Sequence, residues 1–424
     1  MQVEIKVSIA RSDGRVFLCW APVEATLTLR DAPAGPAPLN VTVRSAGTLG
    51  RLVFDTVRSD DGTPTLQLAL PRNGSPVRFF VAGEFRFPST AHGDAKIEVV
   101  ETSSSSLLGS LPVMVRIRKN ANQMIPAERD RFLSAFGTLN GNGLGRFRDF
   151  RAIHVNGRPN EEAHGNRGFL PWHRAYLLDL ERELQAIDPS VALPYWRFDQ
   201  PAPNLFTREF IGVSNNQGRV QFAPGHPFDA WTTDGQVGIL RRLLNFRPNT
   251  APGSISVPGR PAPLNELDTI ALGEPGARFE NFTDMEGTPH GAAHVSFSDF
   301  ISQIGTAARD PLFFLLHANV DRLWAKWQWV KRRTNPNLAA SFPSAPPTRI
   351  GHNLNDTMWP WNGVTGGVRP STAPGGALAS SPETALPGAA PTVRSMVDFF
   401  GVNGGQNIGF AYDDVPFEIP GPGV

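Results

Sequence analysis

Residues 169–187 read FLPWHRAYLLDLERELQAI, and residues 310–333 read DPLFFLLHANVDRLWAKWQWVKRR. Both stretches are long, apolar at helical spacing and free of internal Gly, so they predict helices over Phe169–Ile187 and Asp310–Arg333. A third helix is expected from Pro126 to Leu139, where a proline in the first turn costs no hydrogen bond. A shorter fourth is expected over Pro289–Ile301. Each of the two long stretches sets one histidine, His173 or His317, inside an apolar run.

The chain has nine histidines, and six fall on or beside these helices in two sets of three. His154, His164 and His173 form the first set. In the second, His290 and His294 are four apart, so a helix turns both imidazoles to one face, and His317 follows on the next helix. An HxxxH pair alone is a weak signal, and isolated His92, His226 and His352 read as surface or satisfied core residues. Two complete trios are a different matter. Gly291 stands where a zinc protease of the HExxH type has its Glu. No carboxylate stands with the histidines, which argues against two-His-one-carboxylate iron and carboxylate-bridged di-iron sites. All-imidazole ligation suits copper or zinc, and six imidazoles shared by two ions is the donor set of a dicopper centre.

Upstream, residues 1–115 have another character. VEIKVSI, RVFLCW, ATLTLR, LNVTVRS, RLVFDTV, TLQLAL, VRFFVAG and KIEVV follow at short intervals, separated by Gly, Pro, Asp and Asn. Many short alternating strands favour an antiparallel sandwich or barrel. Pro/Gly-rich loops are expected at Asn249–Asn265 and Gly363–Pro391.

With 424 residues, two or three domains are expected. A net charge of +1 excludes a strongly basic nucleic-acid binder. The single cysteine, Cys19, excludes an internal disulfide framework and a cysteine-based metal cluster. No apolar run reaches membrane-spanning length. MQVEIKVSIARSDGR alternates like a strand and lacks the apolar centre of a signal peptide, so the cytoplasm is the default compartment and nothing in the sequence requires export.

The segment HGNRGFLPWHRAYLLDLE (His164–Glu181) resembles the first copper signature of the tyrosinase and polyphenol oxidase family, including the spacing of nine from His164 to His173. DPLFFLLHANVDRLWAKWQ (Asp310–Gln328) resembles the second signature, and MEGTPHGAAH (Met285–His294) the paired-histidine segment before it. Arg118–Asn120, Pro194–Trp196 and Phe410–Tyr412 match smaller motifs, the last ending the family's catalytic domain. The resemblance covers roughly residues 116–416. It implies a binuclear type-3 centre with two copper ions, His154, His164 and His173 holding one and His290, His294 and His317 the other. It further implies oxidation of o-diphenols to o-quinones with O2, with weaker ortho-hydroxylation of monophenols. The partners are a phenolic small molecule and O2, with neither nucleic acid nor membrane.

Glu286 resembles the family's water-holding glutamate, and Phe313 the aromatic lying over the metal site, able to stack on a substrate ring. Asp321, four residues after His317, can orient a ligand histidine through its free N–H. Three departures stand out. Leu316 replaces the first of two adjacent histidines, and Glu162 replaces a cysteine that elsewhere forms a thioether. Gly291 stands where enzymes that hydroxylate monophenols often carry Asn. Val295, after His294, offers no anchor for a substrate carboxylate. Two alternatives share the same ligands, an o-aminophenol oxidase and a non-catalytic O2-binding protein. The expected fold is multidomain: an N-terminal all-β sandwich-like domain (1–115), then a mainly α-helical tyrosinase-like catalytic domain (116–424) with a four-helix-bundle dicopper core.

Overall fold

A computed structural model of the chain describes residues 1–33, 35–154, 158–165, 167–244, 255, 265–343, 349–361 and 377–419. Most of the loop expected at Asn249–Asn265, and the first part of that at Gly363–Pro391, lie outside the described residues. Two compact units form. The first holds Met1–Arg118, Ser381–Leu386 and Phe400–Val424, and the second Lys119–Ser380 and Pro387–Phe399.

Among the described residues of the first unit, nine strands make two sheets. They are β1 (Gln2–Val7), β2 (Phe17–Leu18), β3 (Val23–Arg30), β4 (Leu39–Gly47), β5 (Leu52–Asp55), β6 (Thr65–Leu70), β7 (Val77–Gly83), β8 (Ala95–Glu101) and β9 (Leu107–Val115). One sheet runs β1-β3-β7-β5 and the other β2-β9-β8-β4-β6. All pairings are antiparallel except the short β2–β9 contact. Along β4, buried Leu39, Val41 and Val43 alternate with exposed or half-exposed Asn40, Thr42 and Arg44, the period-2 pattern of a one-sided sheet. At Gly83 on β7 an added Cβ would lie 2.4 Å from Val115 Cγ1 on β9, so the sheets approach more closely there than any side chain permits.

The strand over Leu107–Val115 was not expected from the sequence: LLGSLPVMV carries Gly and Pro, which hide its β character. Its register against β8 is irregular at Val99/Val100. The C-terminal stretch also departs from expectation. Residues 400–424 and 381–386, read as part of a domain running 116–424, belong to the β-rich unit. Trp20 Nε1 donates to Tyr412 O (2.8 Å), Arg118 Nη1 donates to Tyr412 Oη (2.8 Å), and the Arg118 guanidinium lies 3.7 Å over Phe410. Glu383 accepts from Arg11 and Arg116, each at 2.9 Å; burial alone would raise its carboxyl, but the two guanidinium groups hold it below the usual range.

The second unit is mixed in character. Its helices are α1 (Pro126–Asn140), α2 (Phe147–Ile153), α3 (Arg158–Ala163), α4 (Phe169–Ile187), α5 (Glu266–Ala271), α6 (Phe279–Phe282), α7 (Ala292–Val295), α8 (Ile304–Ala307), α9 (Leu312–Lys331) and α10 (Val393–Val397). α1 starts at its proline and ends on Gly141 at φ 51°, the left-handed geometry that suits glycine. α4 buries 16 of its 19 residues and α9 buries 16 of its 20, so both are core helices with protein on all sides.

Charges inside these helices are therefore paired. Arg174 donates to Asp321 Oδ1 (2.5 Å), Gln328 Oε1 (3.1 Å) and Met396 O (2.6 Å), with its guanidinium 3.7 Å from the Trp324 ring. Asp179 accepts from Trp361 Nε1 (2.7 Å) and the Ala379 amide (2.8 Å), and Glu181 from the Leu193 amide (2.8 Å).

The structure does not confirm a four-helix-bundle core. The expected fourth helix over Pro289–Ile301 is broken into a wide helical turn (Gly287–Gly291), the single turn of α7, a strand (Phe297–Asp299) and a 3₁₀ turn (Phe300–Ser302). The strand pairs with Arg241–Leu243, and Asp299 sits at φ 70°. Tertiary pairing and a left-handed residue end the helix that the pattern alone would extend.

Two outcomes follow for stability. Arg174→Ala strands a buried carboxylate and should lower the unfolding free energy by about 3–5 kcal/mol; a loss under 1 kcal/mol in chemical denaturation would show that the pair does not hold α4 to α9. A chain begun at residue 116 lacks the strands on which 400–419 pack, and should aggregate or melt earlier. A soluble product with an unchanged melting curve would contradict that.

Candidate metal centre

Each histidine of the two trios reaches the site from a different local structure. His154 caps the C-terminus of α2, His164 follows α3, and His173 sits one turn into α4. His290 lies in the wide turn before α7, His294 on α7, and His317 near the start of α9. Within each trio the potential ligand nitrogens lie within 4.8 Å of one another. The trios also face each other: the His173 and His317 rings stack at 4.1 Å with 10° between planes, and His154 and His317 stand 6.4 Å apart. His317 Nε2 is 3.3 Å from His290 Nε2 and 3.2 Å from His294 Nε2.

Four of the six rings are oriented by backbone carbonyls. The Nδ1 of His154 bonds Ile304 O (3.1 Å), that of His173 bonds Phe169 O (2.9 Å), that of His290 bonds Glu286 O (2.7 Å), and that of His294 bonds Ile301 O (2.6 Å). A carbonyl only accepts, so each Nδ1 carries the proton and each Nε2 keeps its lone pair. Among the described residues, the buried Nε2 atoms of His154 and His173 have no hydrogen-bond partner. Buried nitrogen lone pairs that meet no donor are what a metal would satisfy.

The electrostatics agree. Burial first, then the neighbouring imidazoles, hold His154, His173, His290 and His317 well below the usual histidine range. Burial takes His294 down to about 4, against the opposing pull of Ile301 O and Asp310. All five are neutral at pH 7, the form that ligates. The residues present therefore fit two metal ions held by nitrogen alone. His92, His226 and His352 lie outside both trios. His226 Nδ1 accepts from the Phe228 amide (3.0 Å) and His352 Nε2 bonds Glu161 O (3.2 Å).

The other expected site residues fall around this core. Phe313 is fully buried, with its ring centroid 4.3 Å from His317, 4.7 Å from His154 and 6.0 Å from His294. It packs on the ligand rings, a placement that leaves it no face for solvent. Asp321 is buried as well, and its carboxylate takes Arg174 Nε. Glu286 is half-buried and accepts the Gly165 amide on Oε1 at 2.7 Å. At Gly291 an added Cβ would meet only Glu286 O, at an ordinary 3.5 Å. Val295 is 47% exposed.

Phe169 was not singled out in the sequence, yet its buried ring stands 4.7 Å from both His173 and His290 and so touches both trios. Its place four residues before His173 was a signal available at helical spacing. The Ile301 and Ile304 carbonyls could not have been found, because any residue supplies a carbonyl.

A family model described as the common central domain of tyrosinase matches residues 144–330. The chain is 32% identical over 269 residues to a tyrosinase of Streptomyces antibioticus, an alignment covering 59% of this chain and 94% of that protein. It is 29% identical over 300 residues to the grixazone synthase of Streptomyces griseus, covering 59% of this chain and 95% of that protein. A functional unit of octopus hemocyanin aligns in structure with a TM-score of 0.47 and 20% identity, over 72% of this chain and 69% of that one. Similarity at that level along nearly the whole length of the Streptomyces tyrosinase, with both histidine trios assembled, makes the chain a member of the tyrosinase family of type-3 copper proteins, an oxidoreductase that binds two copper ions.

Proposed function

We propose that this protein oxidises o-diphenols to o-quinones with O2 and hydroxylates monophenols only slowly. The observation that supports the first half is the pair of facing all-imidazole trios. The second half rests on Gly291, which places no side chain beside His290. When bound, copper supplies the redox couple between O2 and the phenol. The protein's own part is to hold six imidazoles in place and to leave one side of the site open. His164 and His294 are the two partly exposed ligands, and exposed Val295 follows His294, so the phenol approaches there.

Residue roles follow from placement. Glu286, half-buried and four residues before His290, holds a water that takes the phenol proton. An Asn at position 291 would give that water a second partner, and Gly291 withholds it. Val295 presents an apolar edge and no cation, so substrates without a carboxylate near the ring are preferred. Phe313 acts as a positioning residue, fixing His154 and His317 by contact. Asp321 acts through Arg174, which follows His173 in sequence.

Two measurements test this reading. Wild-type protein should bind two copper ions per chain and His294→Ala clearly fewer, since loss of an imidazole weakens metal binding by at least the 10–100-fold that an outer partner is worth. Full copper content in that variant would refute the ligand assignment. Oxygen uptake on catechol should exceed that on tyrosine, and Gly291→Asn should raise the tyrosine rate; the 3.5 Å clearance at this position lets the side chain fit. Equal wild-type rates on tyrosine and catechol would sink the proposed role of Gly291. Turnover of o-aminophenol well above catechol would move the substrate to aminophenols, and no turnover of any of them would leave an O2-binding protein.

A further inference from the structure

His164 stands out among the ligands for how it is held. Its neighbours in the first trio sit on helices or at a helix end, whereas His164 lies in the stretch that follows α3 and runs into Gly165 at φ +73°. That backbone needs fastening from outside. Glu286 Oε1 accepts the Gly165 amide at 2.7 Å, and Arg349 Nη1 donates to the carbonyls of His164 (3.2 Å) and Gly165 (3.4 Å). The Glu286 backbone oxygen meanwhile accepts His290 Nδ1 at 2.7 Å. One residue thus reaches a ligand of the second trio by its carbonyl and the residue next to a ligand of the first by its carboxylate.

From this geometry we infer that Glu286 is a positioning residue that clamps the His164 loop, so its side chain sets the affinity of the copper held by His154, His164 and His173. A cavity of about 690 Å³ borders the contact, lined by Gly165, Glu286 and Gly287 together with Arg167, Glu280 and Asp284. Among the described residues no packed side chain fills that space, so the loop has room to shift once the carboxylate is gone. His290 is insulated from such a change, because its partner is the backbone oxygen, which every substitution at 286 retains. The side-chain bond therefore serves one metal and the backbone bond the other. This role is separate from holding a water: a water needs a proton acceptor, whereas the clamp needs only an oxygen at the right distance.

The inference rests on the two-copper reading, and its test reads metal binding in the full chain. Copper titration with calorimetry on wild type, Glu286→Ala, Glu286→Asp and Glu286→Gln gives the two affinities, and electron paramagnetic resonance of the loaded proteins reports whether Cu(II) is paired. Alanine should weaken one copper by about 10–100-fold and leave the other unchanged, the usual range for an outer-shell partner. The protein then holds a single unpaired Cu(II) with a visible resonance, where a coupled pair is silent. Aspartate draws the carboxylate back by one methylene and should behave like alanine, which covers the case of an alanine protein that does not fold. Glutamine keeps an acceptor oxygen at the same reach, so it should restore both affinities and the silent spectrum. Two wild-type affinities in alanine and aspartate would overturn the clamp. So would glutamine failing as badly as alanine, since charge and not the bond to Gly165 would then matter. A wild-type protein that binds no copper would overturn the two-copper reading itself.

Discussion

The ion pair between Arg174 and Asp321 joins the two helices on which the metal centre is built. Arg174 follows His173 directly on α4, and Asp321 stands one turn beyond His317 on α9. Both side chains are almost wholly buried, so neither tolerates a partner lost or a slip in register. With Arg174 also bonded to Gln328 and Met396 O, the phase of α4 against α9 is fixed, and with it the 4.1 Å stacking of His173 on His317. A greasy contact between the same helices would bury as much surface while allowing several registers. An ion pair selects one. In a site whose ligand atoms must converge within a few ångströms, that selection matters more than the energy of the pair.

Orientation of the rings is then a local matter, handled by carbonyls. For His173 the acceptor lies four residues earlier on α4, for His290 four residues earlier across the break at Thr288, and for His294 and His154 it comes from Ile301 in a 3₁₀ turn and Ile304 at the start of α8. Carbonyls orient a ring without adding charge, so these contacts lend the trios no negative charge. A carboxylate in the same position would lend negative charge to the ligand and make the copper harder to reduce. Asp321 could have been such a group by spacing alone. In the structure its carboxylate takes Arg174 Nε.

The sequence made the metal centre legible because its signals are short-range and chemically scarce. Histidines at spacing four and nine, and two apolar helices with one histidine each, survive any reasonable error in helix ends: α9 begins at Leu312 and not Asp310 without moving His317 from its face. Signals that depend on a distant partner did not survive. The pattern from Pro289 to Ile301 reads as helix until Phe297–Asp299 finds Arg241–Leu243 to pair with. Nothing local in Phe410–Tyr412 says that it will pack against Trp20 and Arg118 in the β-rich unit. Phe313 was recognisable as an aromatic near the site, but whether it faces substrate or core depends on burial, which only the assembled fold decides.

The division between regular and irregular backbone also explains where chemistry can occur. His173 and His317, carried by the two core helices, are buried to 1% and 0% exposure and form the floor of the site. His164 and His294, carried by a post-helical turn and a single-turn helix, are the partly exposed pair. Helices surrounded by protein give rigidity but no access, because every face is already occupied. Short segments give access but lack a helix to hold them, and must be fastened by individual hydrogen bonds from Glu286, Arg349 and Ile301. Placing each trio partly on each kind of backbone leaves the centre rigid at His173 and His317 and more accessible at His164 and His294. The residues that tune reactivity are therefore expected in the fastening of the short segments, where a single bond carries the position of a ligand, while changes within α4 and α9 act on whether the protein folds at all.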